Sequence, residues 1–174
     1  MTSCTATGGR RVLLRRPRAA DREEFLAAVR ASRALHRPWV SPPATPTQYR
    51  DYLRRMAAAD HAAFLVCIPR SGRIAGVINM SHIVRGAFCS AYLGYYAFAG
   101  CEGRGYMLGG LRAVVRHAFR SLRLHRLEAN IQPGNAPSIA LARAAGFRLE
   151  GYSPRYLKIG GRWRDHERWA ILAS

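Results

Sequence analysis

A chain of 174 residues, 49% hydrophobic and 22% charged, has the length and composition of one domain with a single good core. Its formal net charge of +18 sets 28 basic residues, with Lys158 the only lysine, against 10 acidic ones; that balance points to a polyanionic setting, although a merely solvated basic surface gives the same sum. No apolar run nears the roughly 18 residues of a membrane span, and Cys4, Cys67, Cys89 and Cys101 form no C-x-x-C pair or ligand spacing, which leaves a disulfide framework and a zinc site unsupported.

Residues 1–9 are small and polar, with no apolar stretch of signal type, and read as a disordered tail of a cytoplasmic chain. Residues 10–174 read as one domain. A first strand is expected over 11–16 around Val12, Leu13 and Leu14. Asp21 and Glu24 then resemble a capping box opening a helix whose apolar stripe is Phe25, Leu26, Val29 and Leu35. The proline-rich stretch 38–43 ends it. Thr45 as cap and Pro46 at the first helical position start another, with Tyr49, Tyr52, Leu53 and Met56 on one face.

From residue 63 the apolar period shortens. Strands are expected over 63–68 and 74–80 around a turn at 69–72, the second continuing toward Arg85-Gly86. A further strand, 91–98, runs into Glu102-Gly103-Arg104-Gly105-Tyr106-Met107. Two glycines there let backbone N–H groups turn toward an anion, and the helix that follows adds the positive end of its dipole. That helix, 105–122, carries Leu108, Leu111, Val115, Phe119 and Leu122 at helical spacing. Over 126–131, Leu127, Ala129 and Ile131 alternate with Arg126, Glu128 and Asn130 as a strand requires. A short helix follows Asn135 and ends at Gly146, and two strands, 147–159 and 162–172, turn at Gly160-Gly161. The pattern is a mixed sheet with helices on its faces, of α/β or α+β class.

Three segments in this order resemble the GNAT acyl-CoA N-acyltransferases. They are the strand leading into the glycine loop; Asn135-Ala136-Pro137-Ser138 with Leu141 and Gly146-Phe147; and Glu150-Gly151-Tyr152 followed by Gly161-Arg162-Trp163-Arg164-Asp165-His166. The last, together with Val84 to Phe88 and Tyr92 to Tyr95, is similar to the RimJ/RimL branch, which acetylates ribosomal-protein N-termini. The resemblance implies a mostly antiparallel sheet of six or seven strands with helices on both faces. It implies acetyl-CoA, and no metal, in a cleft where strands 91–98 and 126–131 splay. The pantetheine arm would pair near Ala97 and Phe98, the pyrophosphate would sit on Gly103, Arg104, Gly105, Tyr106 and Met107, and Asn135 would face the pantetheine. Departures are Glu102, where relatives carry Gln or Arg, and Gly109-Gly110, which weaken the first helical turn by roughly 1 kcal/mol each against alanine.

The amine would attack the thioester directly, without an acyl-enzyme. Many relatives use a tyrosine acid on the short helix, where this chain has Ala142, so Ser138 is the candidate proton donor. The carboxylate of some relatives falls near Leu157, so Glu128 is the candidate base, with Asn130 beside it as a water holder. Asp165 and His166 read as structural hairpin groups. The Trp39 loop and the Gly160-Gly161 hairpin are expected at the acceptor groove, with Tyr95 in the pocket. Near pH 7.5 about a third of α-amines are neutral against roughly a thousandth of lysines. A weakly basic site therefore favours a protein N-terminus, such as a ribosomal protein's, with association to ribosomal RNA through the basic surface. A small amine such as an antibiotic, or a non-catalytic ribosome-assembly role, stays open, as does the oligomeric state.

Overall fold

Alternation and capping set the elements of the computed structural model, which describes residues 3–4 and 9–173. The strands are β1 (Ser3–Cys4), β2 (Val12–Arg15), β3 (Ala62–Cys67), β4 (Ile74–Val84), β5 (Ser90–Ala97), β6 (Arg126–Ile131), β7 (Arg148–Ile159) and β8 (Arg162–Leu172). The helices are α1 (Arg22–Ala31), α2 (Arg33–His36), α3 (Pro46–Met56), α4 (Tyr106–Arg120) and α5 (Ala136–Ala144). One sheet runs β1-β2-β3-β4-β5-β6-β8-β7. Strands β2 to β8 are the seven expected; the eighth is the two-residue β1, where the sequence predicts a tail, and the rest of that expectation, apart from Gly9, lies outside the described residues. Every pairing is antiparallel except β5 with β6, which α4 joins as a crossover.

Strand β3 is buried on both faces and divides the core. Ala62, Phe64 and Val66 face a layer with Leu111, Val114 and Ala118 of α4, while Ala63, Leu65 and Cys67 face Phe25, Leu26 and Val29 of α1 and Tyr49 and Tyr52 of α3. The buried stripe of α4 is broader than its predicted one, because the helix lies across β2, β3 and β4; Leu108, Phe119 and Leu122 are only partly covered. Thr45 caps α3 as expected, accepting from the Gln48 N–H at 3.2 Å.

The Asp21–Glu24 capping box does not form. Asp21 accepts instead from the Arg15 guanidinium and the Arg18 N–H, each at 2.7 Å, and Glu24 accepts from the N–H of Ile74 at 2.7 Å, tying α1 to the start of β4. Burial pushes the Asp21 carboxyl up, but the Arg15 and Arg18 contacts outweigh it and hold it below the ordinary range. A depressed folded-state value means stability that is present above the unfolded-state value and lost as pH falls through the folded one. Asp21→Asn therefore costs about 1.5 kcal/mol at neutral pH and flattens the acid side of the stability–pH curve, read by urea titration at several pH values. An unchanged acid limb would remove the pair from the account.

Gly109 and Gly110 are close-approach positions. A Cβ on Gly109 would lie 2.1 Å from the Arg10 carbonyl oxygen, and one on Gly110 2.7 Å from a Val66 methyl. Helix propensity alone makes Gly109→Ala stabilising by about 1 kcal/mol. Contact with fixed backbone reverses the sign, and we expect a loss of about 1–3 kcal/mol in denaturant unfolding.

Candidate active site

Parallel pairing between β5 and β6 lasts three residues, Ser90↔Arg126, Ala91↔Leu127 and Tyr92↔Glu128. Beyond it β5 stays with β4 as far as Ala97, while β6 follows β8 to Ile131, so the two strands part. A cleft of about 530 Å³ fills the gap, a size typical of small-molecule sites. Side-chain alternation carries it through the sheet. Leu93, Tyr95, Met107 and Ser138 line it on the α4–α5 face, and His36, Gly94, Tyr96, Asn130 and His166 on the other.

One mouth is the glycine loop. Gly103 and Gly105 have φ of 67° and 77°, and Gly105 is the left-handed cap of α4. The first N–H groups of a helix have no acceptor within it, so those of α4 open toward this mouth together with its dipole. Gly103, Gly105 and Met107 line the cleft, and Glu102 stands exposed at its rim. The Arg104 side chain is exposed and does not line the cleft. The Tyr106 ring is turned to Arg10, whose guanidinium lies 5.3 Å over it and donates to its hydroxyl at 3.1 Å. For these two residues only the backbone belongs to the loop.

Along β5, Ala97 lines the cleft, and its carbonyl accepts from Nε2 of His36 at 2.8 Å. Phe98 does not reach the cleft: its N–H is taken by the Ala75 carbonyl at 2.9 Å, and its side chain is buried against Phe25. Ser32 completes this join, its hydroxyl accepting from the Ala99 N–H at 2.8 Å. Asn130 lines the cleft with a buried Oδ1 that has no hydrogen-bond partner among the described residues. Asn135 lines it too, while its Oδ1 caps α5 by accepting from the Ser138 N–H at 3.3 Å. The Tyr95 hydroxyl donates to the Ser138 carbonyl at 3.0 Å, locking α5 to β5. Trp39 lines the cleft, and its carbonyl accepts from the Gln132 side chain at 3.2 Å.

Glu128, like Phe98, is a predicted site residue that does not line the cleft. It lies 2.8 Å from the Arg126 guanidinium, which also grips Glu150. An arginine two residues away on the same strand face offers a nearer partner than any substrate. Leu157 borders the cleft with an apolar side chain, as the sequence requires. Sequence reasoning missed His36 and Gln132 as lining residues and took His166 for a hairpin group; their positions depend on packing between distant segments and leave no periodic signal. Burial lowers the pKa of His36, only partly offset by its bond to Ala97, so that ring is neutral at pH 7. Among the described residues no group of three or more His, Cys, Asp or Glu is placed to hold a metal ion, and no helix is long and apolar enough to cross a membrane.

A family model described as an acetyltransferase (GNAT) domain matches residues 11–148. The Bacillus subtilis (strain 168) protein named "Probable N-acetyltransferase YjcK" is 35% identical over 122 residues, 70% of this chain and 67% of that one. The [Ribosomal protein uS5]-alanine N-acetyltransferase of Escherichia coli (strain K12) is 43% identical over 98 residues, 56% of this chain but only half of the relative's length. Among solved structures, Mycobacterium smegmatis RimJ in complex with CoA-disulfide superposes with a TM-score of 0.87 at 29% identity, covering 94% of this chain and 82% of that one.

Proposed function

The chain belongs to the GNAT acetyltransferase family, and from that premise we propose that it transfers an acetyl group from acetyl-CoA to the N-terminal α-amine of a protein, with a ribosomal protein as acceptor. The observation that carries the reading is the parting of β5 and β6 after Tyr92 and Glu128, which opens a passage through the sheet with the glycine loop at one mouth. The residues present fit the nucleotide. A Cβ at Gly103 would meet no atom within 4 Å, which leaves room for a diphosphate beside the opening amides of α4, and the unpartnered Oδ1 of Asn130 offers an acceptor inside the gap. Acetyl-CoA supplies the activated acyl group; the chain orients it and handles the protons.

The amine attacks the thioester carbonyl directly and expels the thiolate, with no acyl-enzyme. Ser138 lines the cleft at the start of α5, with its main chain fixed from both sides by Asn135 and Tyr95. Its hydroxyl is assigned as the proton donor to the departing sulfur. Ser138→Ala is expected to lower kcat by about 100-fold with the peptide KM little changed. A rise in KM alone would reassign the residue to substrate binding.

An α-amine near pKa 7.7–8.0 asks less of a weakly basic site than a lysine near 10.4. The +18 charge also disfavours polyamine acceptors and suits work beside ribosomal RNA. The test is incubation with labelled acetyl-CoA and ribosomal proteins, followed by mass spectrometry of the termini. We expect acetyl on a small first residue such as alanine or serine, and turnover of matching peptides. Turnover restricted to free small amines overturns the reading.

A further inference from the structure

Strand β8 brings His166 to the cleft wall on the face opposite α4 and α5, with the residue only 3% exposed. Its Nδ1 lies 3.0 Å from the backbone carbonyl oxygen of Arg164. A carbonyl can only accept, so Nδ1 carries the ring proton and Nε2 keeps the lone pair. Among the described residues nothing hydrogen-bonds Nε2. The other cleft histidine is the reverse case: His36 spends Nε2 on the Ala97 carbonyl, and its Nδ1 is sealed in the protein beside Tyr96 and Phe98. Glu102 stands at the glycine loop, and Glu128 is bound to Arg126 outside the cleft. His166 is therefore the lining base left for the acceptor half.

The groups around it are compatible with a neutral ring. Arg164 and Arg168 share its face of β8, Tyr156 packs from β7 at 6.1 Å between ring centroids, and Tyr96 and His36 line the cleft from β5 and α2. Asp165, next in the chain, is engaged by the Tyr152 hydroxyl and the Arg155 N–H. Burial lowers the His166 pKa, partly offset by the Arg164 carbonyl and Asp165, so the imidazole is free to accept a proton at pH 7.

We infer that His166 is a catalytic residue whose Nε2 takes the proton from the acceptor's α-ammonium, an assignment that rests on the N-acetyltransferase reading above. The freed nitrogen then bonds to the acetyl carbon and the C–S bond breaks. The proton on the imidazolium passes to solvent. The second proton, released as the amide forms, ends on the thiolate by way of Ser138.

The test uses His166→Asn, whose amide nitrogen can keep the bond to the Arg164 carbonyl while the Nε2 base is lost, with His166→Gln as a second variant should the first fold poorly. Both are assayed on the full chain with an alanine-initial peptide across pH, beside coenzyme A titration calorimetry. We expect coenzyme A affinity within twofold of wild type and a loss of about 10-fold in kcat at pH 7, where only about a tenth of the α-amine is neutral without help. The loss should shrink as pH rises past the amine's own pKa of about 7.7–8.0. A variant within threefold of wild type, or one equally impaired at every pH, overturns the assignment. So does ¹⁵N NMR of the free protein showing the Nε2–H tautomer at His166, a readout that needs no turnover. A wild-type chain that binds coenzyme A yet acetylates no amine sinks the N-acetyltransferase reading itself; an active wild type with an equally active His166→Asn sinks His166 alone.

Discussion

Gly105→Glu leaves a folded chain that no longer holds acetyl-CoA. At φ 77° an L-residue takes on a left-handed strain of about 1–2 kcal/mol. Space is not the obstacle, since a Cβ there would meet the Arg10 backbone at an ordinary 3.5 Å. What changes is the field. The glutamate carboxylate sits at the positive end of α4, where it competes with a diphosphate for the same amides and repels its charge. Glutamate at that cap even suits the helix dipole, so the fold is expected to survive while coenzyme A binding weakens by at least 100-fold, or about 2.7 kcal/mol. Gly105→Ala shares the backbone strain but not the charge, and should lose far less. Titration calorimetry beside thermal unfolding separates the two effects. Unchanged coenzyme A affinity in the glutamate variant, with an unchanged melting temperature, would mean that the diphosphate sits elsewhere.

What the sequence disclosed was local. Alternation of Leu127, Ala129 and Ile131 placed β6 at its true bounds, because one face of that strand packs into the core and the other does not. Thr45 and Pro46 started α3, and Gly160-Gly161 turned the closing hairpin, because cap and turn chemistry is written within a few residues. The loop with its two left-handed glycines was legible for the same reason. Long-range partners were not. Asp21 and Glu24 have the spacing of a capping box, yet a guanidinium from β2 and the first amide of β4 outbid the helix end. Gly109 and Gly110 look like weak helix positions until the Arg10 backbone and Val66 are seen against them. Glu128 was on the expected face of β6, but Arg126 shares that face and takes the carboxylate. His166 was legible only as a hairpin residue, since its place on the cleft wall depends on a gap between two other strands.

Gly94→Trp closes the acceptor half of the cleft and leaves the nucleotide half open. Gly94 lies mid-strand in β5, opposite Asn79 of β4, on the face away from α4 and α5. A Cβ built on it would meet no atom within 4 Å, although the residue lines the cleft. Glycine inside a strand weakens it, and its usual reason there is the close approach of something else. On the proposed function, that something is the incoming amine. An indole at this position occupies the route past Asn130 and His166, while Gly103, Gly105 and the α4 amides stay untouched. Peptide acetylation is expected to fall at least about 100-fold, the loss appearing mainly in kcat/KM, with coenzyme A affinity unchanged. Gly94→Ala, with only a methyl in open space, should stay within a few-fold of wild type. The pair of variants at Gly105 and Gly94 then reports on geometry as well as occupancy. If acyl donor and acceptor enter from opposite faces of the sheet, the first loses binding and turnover together and the second loses turnover alone. If both entered by the glycine loop, Gly94→Trp would leave turnover intact.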